Sequence, residues 1–270
     1  VRALEKLTLR VFRGDSEGGQ MVAYEVPTFP GMVVLDAVHY IQSHLDSTLA
    51  CRWNCKAAKC GSCSAEIDGK PRLMCKSRVD EYPSGDISLG PVRAFPLIKD
   101  LVTDVSWNYR TAAMIPPLVP KPEVAGKPFV MQQMDVERVQ EFRKCIECFL
   151  CQDVCHILRD HQRMDGFFGP RQMCRIGALE MHPMDDLDRR EQLRHEAGVG
   201  FCNITKCCTE VCPEHIHITD NAIIPLKERV VDDYFDPISG LLTKIGVLKR
   251  EKKRPMSSVK NNLTRFHRPK

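Results

Sequence analysis

Residues 144–156 read KCIECFLCQDVCH, four cysteines within eleven residues at the spacing C-x2-C-x2-C-x3-C. This run constrains the fold more than any other stretch. Thiols at i, i+3 and i+6 can curl round one centre, while the next begins a helix and points away. The chain has 270 residues and fourteen cysteines, and the cysteines cluster. Cys51, Cys55, Cys60, Cys63 and Cys75 come early, and Cys202, Cys207, Cys208 and Cys212 come late. Cys174 stands apart. Neither the length nor the start, VRALEKLTLRVFR, fits a small secreted disulfide scaffold, because the start alternates like a strand and lacks a signal's apolar core. Clustered cysteines in a reducing compartment point to metal.

The early group reads Cys55-x4-Cys60-x2-Cys63-x11-Cys75. Plant-type [2Fe–2S] ferredoxins carry C-x4-C-x2-C followed by a distant cysteine. A binuclear cluster needs two thiolates on each iron, and a tight loop can supply three of the four. Gly61 lets backbone amides approach the sulfides, and the hairpin SAEIDGKPRLMC, turning at Asp68-Gly69, returns Cys75. A structural zinc would more often show two C-x2-C knuckles, whereas here one knuckle accompanies a C-x4-C. Cys51 has no place in the pattern.

In bacterial two-cluster ferredoxins each run is C-x2-C-x2-C-x3-C-P, and its fourth cysteine ligates the other cluster. The opening run has this spacing with His156 in the proline position. Its partner is CNITKCCTEVCP, in which Cys202, Thr205, Cys208 and Cys212 keep the register and threonine replaces the second cysteine. Crossing the fourth ligands assigns Cys145, Cys148, Cys151 and Cys212 to a [4Fe–4S] cluster. Cys155, Cys202 and Cys208 are left for a cubane with one corner vacant, hence [3Fe–4S]. Thr205 is a poor ligand for iron that prefers soft sulfur. A second [4Fe–4S] is the alternative. Lys56, Lys59, Arg143, Lys144 and Lys206 could raise cluster potentials, or could be ordinary solvated charges.

Elsewhere, KLTLRVFRG alternates with a period of two and predicts a strand, with Leu7, Leu9 and Val11 inward. VVLDAVHYIQSHL predicts a helix with Val34, Val38, Ile41 and Leu45 on one face, and GDISLGPV a further strand. Between Met114 and Val130 five prolines mark an extended connector. Helical patterns come next in DVERVQEFRKC, RIGALEM and TDNAIIPLKERVV, the last interrupted by Pro225. From Leu241 to Lys270 ten Lys or Arg face one acid, a basic tail suited to solvent, to anionic lipid or to an acidic partner. One aromatic, Phe266, and no recognition motif argue against nucleic acid. No apolar run approaches the roughly 20 residues of a membrane span. No G-x-G-x-x-G flavin fingerprint or hydrolase motif is present, so the chain reads as a wire of one-electron centres between two partners.

The order of these motifs resembles the iron–sulfur subunit of succinate dehydrogenase and fumarate reductase, in wording most like actinobacterial members. NCKAAKCGSCSAEIDGKPRLMC, LIKDLVTDVSWNY, RKCIECFLCQDVC and KCCTEVCPEHIHITDNAI carry the resemblance over nearly the whole chain. It implies an α+β chain. A β-grasp plant-type [2Fe–2S] ferredoxin domain is expected over 1–113 and a Pro-rich linker over 114–130. An all-helical bacterial-type two-cluster domain is expected over 131–240 and the basic tail over 241–270. It also implies a partner flavoprotein with covalent FAD that oxidises succinate. Electrons would pass through the three clusters to a quinone, menaquinone or ubiquinone. Membrane-anchor subunits would hold the chain, without a span of its own, on the cytoplasmic face of a bacterial plasma membrane. The reverse reaction, fumarate reduction, uses the same wiring, and a free multi-cluster ferredoxin is the rival from another class. In many members a Pro-Ser-x-Trp-Trp stretch after the first run, with a histidine in the second, helps form the quinone site. Here those positions read His156, Ile157, Leu158, Arg159, Asp160 and Asn203, leaving His156 and Arg159 as candidate neighbours of the quinone.

Overall fold

The computed structural model describes residues 6–124, 126–234, 237–245 and 254–256. Most of the expected basic tail, 246–253 and 257–270, lies outside the described residues. The chain divides into two compact units. The first joins residues 1–105 with 145–162 and 210–215, and the second joins 106–144, 163–209 and 216–270.

In the first unit, strands β1 (Lys6–Asp15), β2 (Gly18–Pro27), β3 (Ser64–Ile67), β4 (Lys70–Leu73) and β5 (Asp86–Gly90) form one mixed sheet of order β2-β1-β5-β3-β4. β1 and β5 run parallel, and the other neighbours are antiparallel. The period of two in β1 holds, with Leu7, Leu9 and Val11 buried. The β3–β4 turn falls at Asp68-Gly69, whose φ angles of 49° and 72° suit a two-residue hairpin loop. Sequence reasoning missed β2. It is an edge strand paired with β1 along its length, and of its side chains only Val26 is buried, so no alternating pattern advertises it.

Helix α1 (Val34–Tyr40) covers the sheet, with Val34, Ala37 and Val38 in the same apolar core as Leu9 and Leu89. Each fully buried aliphatic side chain of this kind contributes roughly 1.5–3 kcal/mol. The helix continues as a π-helical turn, Ile41–Leu45, and there the expected single face breaks. Ile41 is buried, but Leu45 is 49% exposed, because a π turn adds a residue and rotates the end of the segment off the core.

The remaining helices, in chain order, are α2 (Ser106–Ala113), α3 (Gln133–Gln140), α4 (Leu150–Asp153), α5 (His156–Arg159), α6 (Gly169–Glu180), α7 (Arg190–His195), α8 (Cys207–Glu210) and α9 (Ile224–Tyr234), with a further helical stretch at Pro237–Lys244. Helices dominate the second unit; a two-residue parallel ladder, Leu187–Asp188 with Arg254–Pro255, departs from the all-helical expectation. α6 begins well before RIGALEM, with Pro170 in its first turn, where a missing N–H is harmless. Pro225 has the same role. The segment is π-helical over Ile218–Ile223 and α-helical from Ile224, so the proline sits at the change of ladder.

The Pro-rich connector is irregular over 115–119, turns as a short 3-10 helix at Pro122–Val124 and is tied down. Fully buried Arg189 donates to the carbonyls of Pro116 and Pro117 at 3.1 and 2.9 Å. Asp185, fully buried, pairs with Arg189 and accepts the Val119 amide at 3.1 Å. Proline supplies no backbone donor, so the connector offers its carbonyls, and a guanidinium can satisfy two at once.

Candidate iron–sulfur centres

The loop from Cys55 to Cys63 turns its amides inward. Lys56 and Ala58 (both φ 54°) and Gly61 (φ 70°) lie in the left-handed region. For the two non-glycine residues this conformation costs on the order of 1 kcal/mol or more each. It brings the Ala57 and Lys59 N–H groups to Cys55 Sγ, both at 3.3 Å, and the Cys55 N–H to Cys60 Sγ at 3.5 Å. The thiols fall into two contacting pairs, Cys55 with Cys60 and Cys63 with Cys75. That is the donor set a two-iron cluster requires, two thiolates for each metal. Burial alone would raise Cys60. Hydrogen bonds from Ser62 and from the Cys55 and Ser62 amides outweigh it and bring the thiol down to about 7. Burial pushes the Cys63 thiol up to about 12, so this thiolate needs a metal's charge to form at neutral pH.

The opening run curls within the same unit, where it offers a candidate second centre. Positive φ at Glu147 and Phe149, 55° and 60°, curls the chain on either side of Cys148. Cys151 lies buried in α4, and Cys155 caps α5. Burial pushes Cys148 up to about 12, with Cys145 and Cys212 adding electrostatic pressure. The last cysteine of the second run thus lies among thiols of the first, as crossed ligation needs. Four soft donors of this kind suit a cubane.

The second run repeats the first run's backbone. Ile204 and Lys206, both at φ 63°, stand where Glu147 and Phe149 stand, so Thr205 holds the curl that Cys148 holds. Thr205 Oγ1 lies 3.2 Å from Cys207 Sγ, and Lys227 Nζ donates to the Cys202 carbonyl. Cys208 is buried in α8. Of the three cysteines assigned to the third centre, Cys202 and Cys208 belong to the second unit and Cys155 to the first. Among the described residues no three His, Cys, Asp or Glu close on one point as a single ion would need. Two-iron and cubane clusters hold their thiolates farther apart than that.

His156 presents a buried Nε2 with no hydrogen-bond partner, 6.0 Å ring to ring from His161. The Arg159 guanidinium is engaged by Asp160 at 3.0 Å and lies 3.9 Å from Glu66. Three of the basic residues near the motifs also have partners: Lys59 pairs with Glu214, Lys206 with Asp220, and Lys56 lies over the Trp53 ring. Sequence reasoning missed Ser64, whose hydroxyl lies 2.8 Å from the Cys148 carbonyl and 2.9 Å from that of Gly61. No spacing rule identifies it, because its partner is 84 residues away.

Two family models match the chain, a 2Fe-2S iron-sulfur cluster binding domain over residues 8–109 and a 4Fe-4S dicluster domain over 141–216. The fumarate reductase iron-sulfur subunit of Mycobacterium tuberculosis is 32% identical over 200 residues, 72% of this chain and 79% of the relative. That of Haemophilus influenzae is 31% identical, covering 78% of this chain and 88% of the relative. A chain of the Mycobacterium smegmatis Sdh1 complex in the apo form matches with a TM-score of 0.85 and 55% identity, over 87% of this chain and 100% of that one. The chain belongs to the family of iron–sulfur subunits of succinate dehydrogenase and fumarate reductase, and it transfers electrons within such an oxidoreductase complex.

Proposed function

We propose that the chain serves a succinate:quinone oxidoreductase running towards succinate oxidation. The supporting observation is the 55% identity to a chain of the Sdh1 complex, against 32% and 31% to the two fumarate reductase subunits. The sheet unit, read as a β-grasp domain over 1–113, holds a [2Fe–2S] cluster through Cys55, Cys60, Cys63 and Cys75. Cys145, Cys148, Cys151 and Cys212 hold a [4Fe–4S] cluster. Cys155, Cys202 and Cys208 hold a [3Fe–4S] cluster. When bound, these groups supply one-electron carriers of differing potential. The protein's part is to neutralise thiolate charge with inward amides, to exclude water by burying Cys63, Cys151, Cys155 and Cys208, and to fix the ligand loops.

The electrons come from FAD in a flavoprotein subunit and leave to a quinone, menaquinone or ubiquinone, beside membrane-anchor subunits. The chain is peripheral, on the cytoplasmic face of a bacterial plasma membrane, and its basic tail faces anionic lipid. Among the described residues no helix is long and apolar enough to cross a membrane. Of the two candidate quinone neighbours, His156 keeps an open ring nitrogen, whereas Arg159 is held by carboxylates. Purification in mild detergent is expected to yield a complex with bound flavin. Its oxidised EPR spectrum is expected to show a [3Fe–4S] signal, and succinate:quinone turnover to exceed quinol:fumarate turnover. A colourless, zinc-loaded chain would end the cluster assignments, and faster fumarate reduction would reverse the direction.

A further inference from the structure

Behind Cys208, inside the second unit, two threonines form a one-way chain of hydrogen bonds. The Thr219 backbone N–H donates to Thr209 Oγ1 at 3.0 Å. The Thr209 hydroxyl donates to Thr219 Oγ1 at 3.2 Å. Thr219 Oγ1 then lies 3.4 Å from Cys208 Sγ. A hydroxyl carries one proton. The Thr209 proton is spent on Thr219, so the Thr219 proton remains free to point at the sulfur. An iron-bound Cys208 is a thiolate, and a thiolate can only accept.

The surroundings keep the chain in place. Thr219 is 0% exposed and Cys208 6%, so water does not compete for either. Thr219 stands in the first turn of the π-helical segment Ile218–Ile223, where backbone N–H groups have no partner within the helix. Its N–H is therefore available to Thr209 and sets the direction of the relay. Successive donors in a dry interior polarise one another, which strengthens the last bond.

We propose that Thr219 is a potential-setting residue for the cluster bound by Cys208, with Thr209 positioning its hydroxyl. The inference rests on the proposed third centre and adds which side chain tunes it. On one-electron reduction the cluster gains a negative charge and no bond is made or broken. A hydrogen bond to its cysteine sulfur stabilises the reduced form more than the oxidised form, and this raises the potential.

The test is an EPR-monitored redox titration of the intact complex. Thr219→Val keeps the shape and removes the donor. It is expected to shift the one-electron equilibrium about tenfold towards the oxidised form, a fall of ~59 mV. Thr219→Ser should stay close to the wild type, and Thr209→Val should fall in the same direction by less. Should the valine variant fail to assemble, the wild type supplies an independent reading. After exchange into D2O, its pulsed spectrum should show an exchangeable proton coupled to the third cluster that Thr219→Ser keeps. An unchanged potential in Thr219→Val, or no such coupling in the wild type, overturns the role of Thr219 alone. A wild type without a [3Fe–4S] signal overturns the third-centre assignment, and the inference with it.

Discussion

Gly61 and Cys148 touch. A Cβ placed on Gly61 would lie 2.5 Å from the Cys148 Cα and 2.8 Å from its Cβ and its N, closer than such atoms come. Gly61 sits between two candidate ligands of the first centre, and Cys148 is a candidate ligand of the second. The glycine's two freedoms, positive φ and no side chain, are therefore both used at the contact between two ligand loops.

Gly61→Ala should damage both loops together. The left-handed backbone alone disfavours alanine by about 1–3 kcal/mol, and the overlap with backbone atoms adds to that. Iron content and EPR should show loss at the first and second centres. Loss confined to the first would mean that the two loops are not coupled through this contact.

Arg189→Met should be strongly destabilising, by about 3–5 kcal/mol, because it leaves Asp185 buried without its cation and takes one cation from Glu180, which keeps Arg229. Denaturant unfolding measures this. Limited proteolysis should find new cuts at 115–121, where Arg189 no longer holds the carbonyls of Pro116 and Pro117. A variant as stable as wild type would show the triad to be dispensable.

Glu141 accepts the His217 amide and lies against its ring nitrogen, both at 2.7 Å, and accepts Asn221 Nδ2 at 2.5 Å. Partial burial alone would raise its carboxyl, but these hydrogen bonds outweigh burial and hold it below its ordinary value. A lowered folded value means stability that is present above the unfolded value and lost as pH falls through the folded one. Amide-exchange protection of residues 217–223 should thus be independent of this group from pH 8 to 5. At neutral pH, Glu141→Gln should reduce that protection by about 1 kcal/mol, allowing for solvent screening. Equal protection in the two proteins would remove Glu141 as the anchor.

Thr205→Cys should complete the second run. Its flanking φ angles already match those at Cys148, so under the proposed third-centre assignment a thiolate there is expected to let that cluster take up a fourth iron. The oxidised [3Fe–4S] signal should disappear while flavin content stays constant. Its persistence at full strength would show that Thr205 does not face the corner.

The cysteine spacing made the 2Fe-2S and 4Fe-4S domains legible, because gathering three thiols round a cluster takes only a local curl of the chain. Leu7, Leu9 and Val11 likewise betrayed β1, since one buried face leaves a period of two. β2 left no such trace because both of its faces are largely exposed, and Leu45 misled because the pattern assumes one helical period and the chain adds a π turn.

Sequence alone determined that the chain carries a 2Fe-2S and a 4Fe-4S dicluster domain, a consequence of ligand chemistry over a few residues, and the grouping of individual thiols is the proposal that this spacing supports. Tertiary structure decided what surrounds them. The fit of Gly61 against Cys148, the approach of Cys212 to the first run, and the contact of Thr219 with Cys208 all join residues beyond the reach of a local motif. Those depend on which surfaces pack and which donors are left over, and no short-range spacing encodes either.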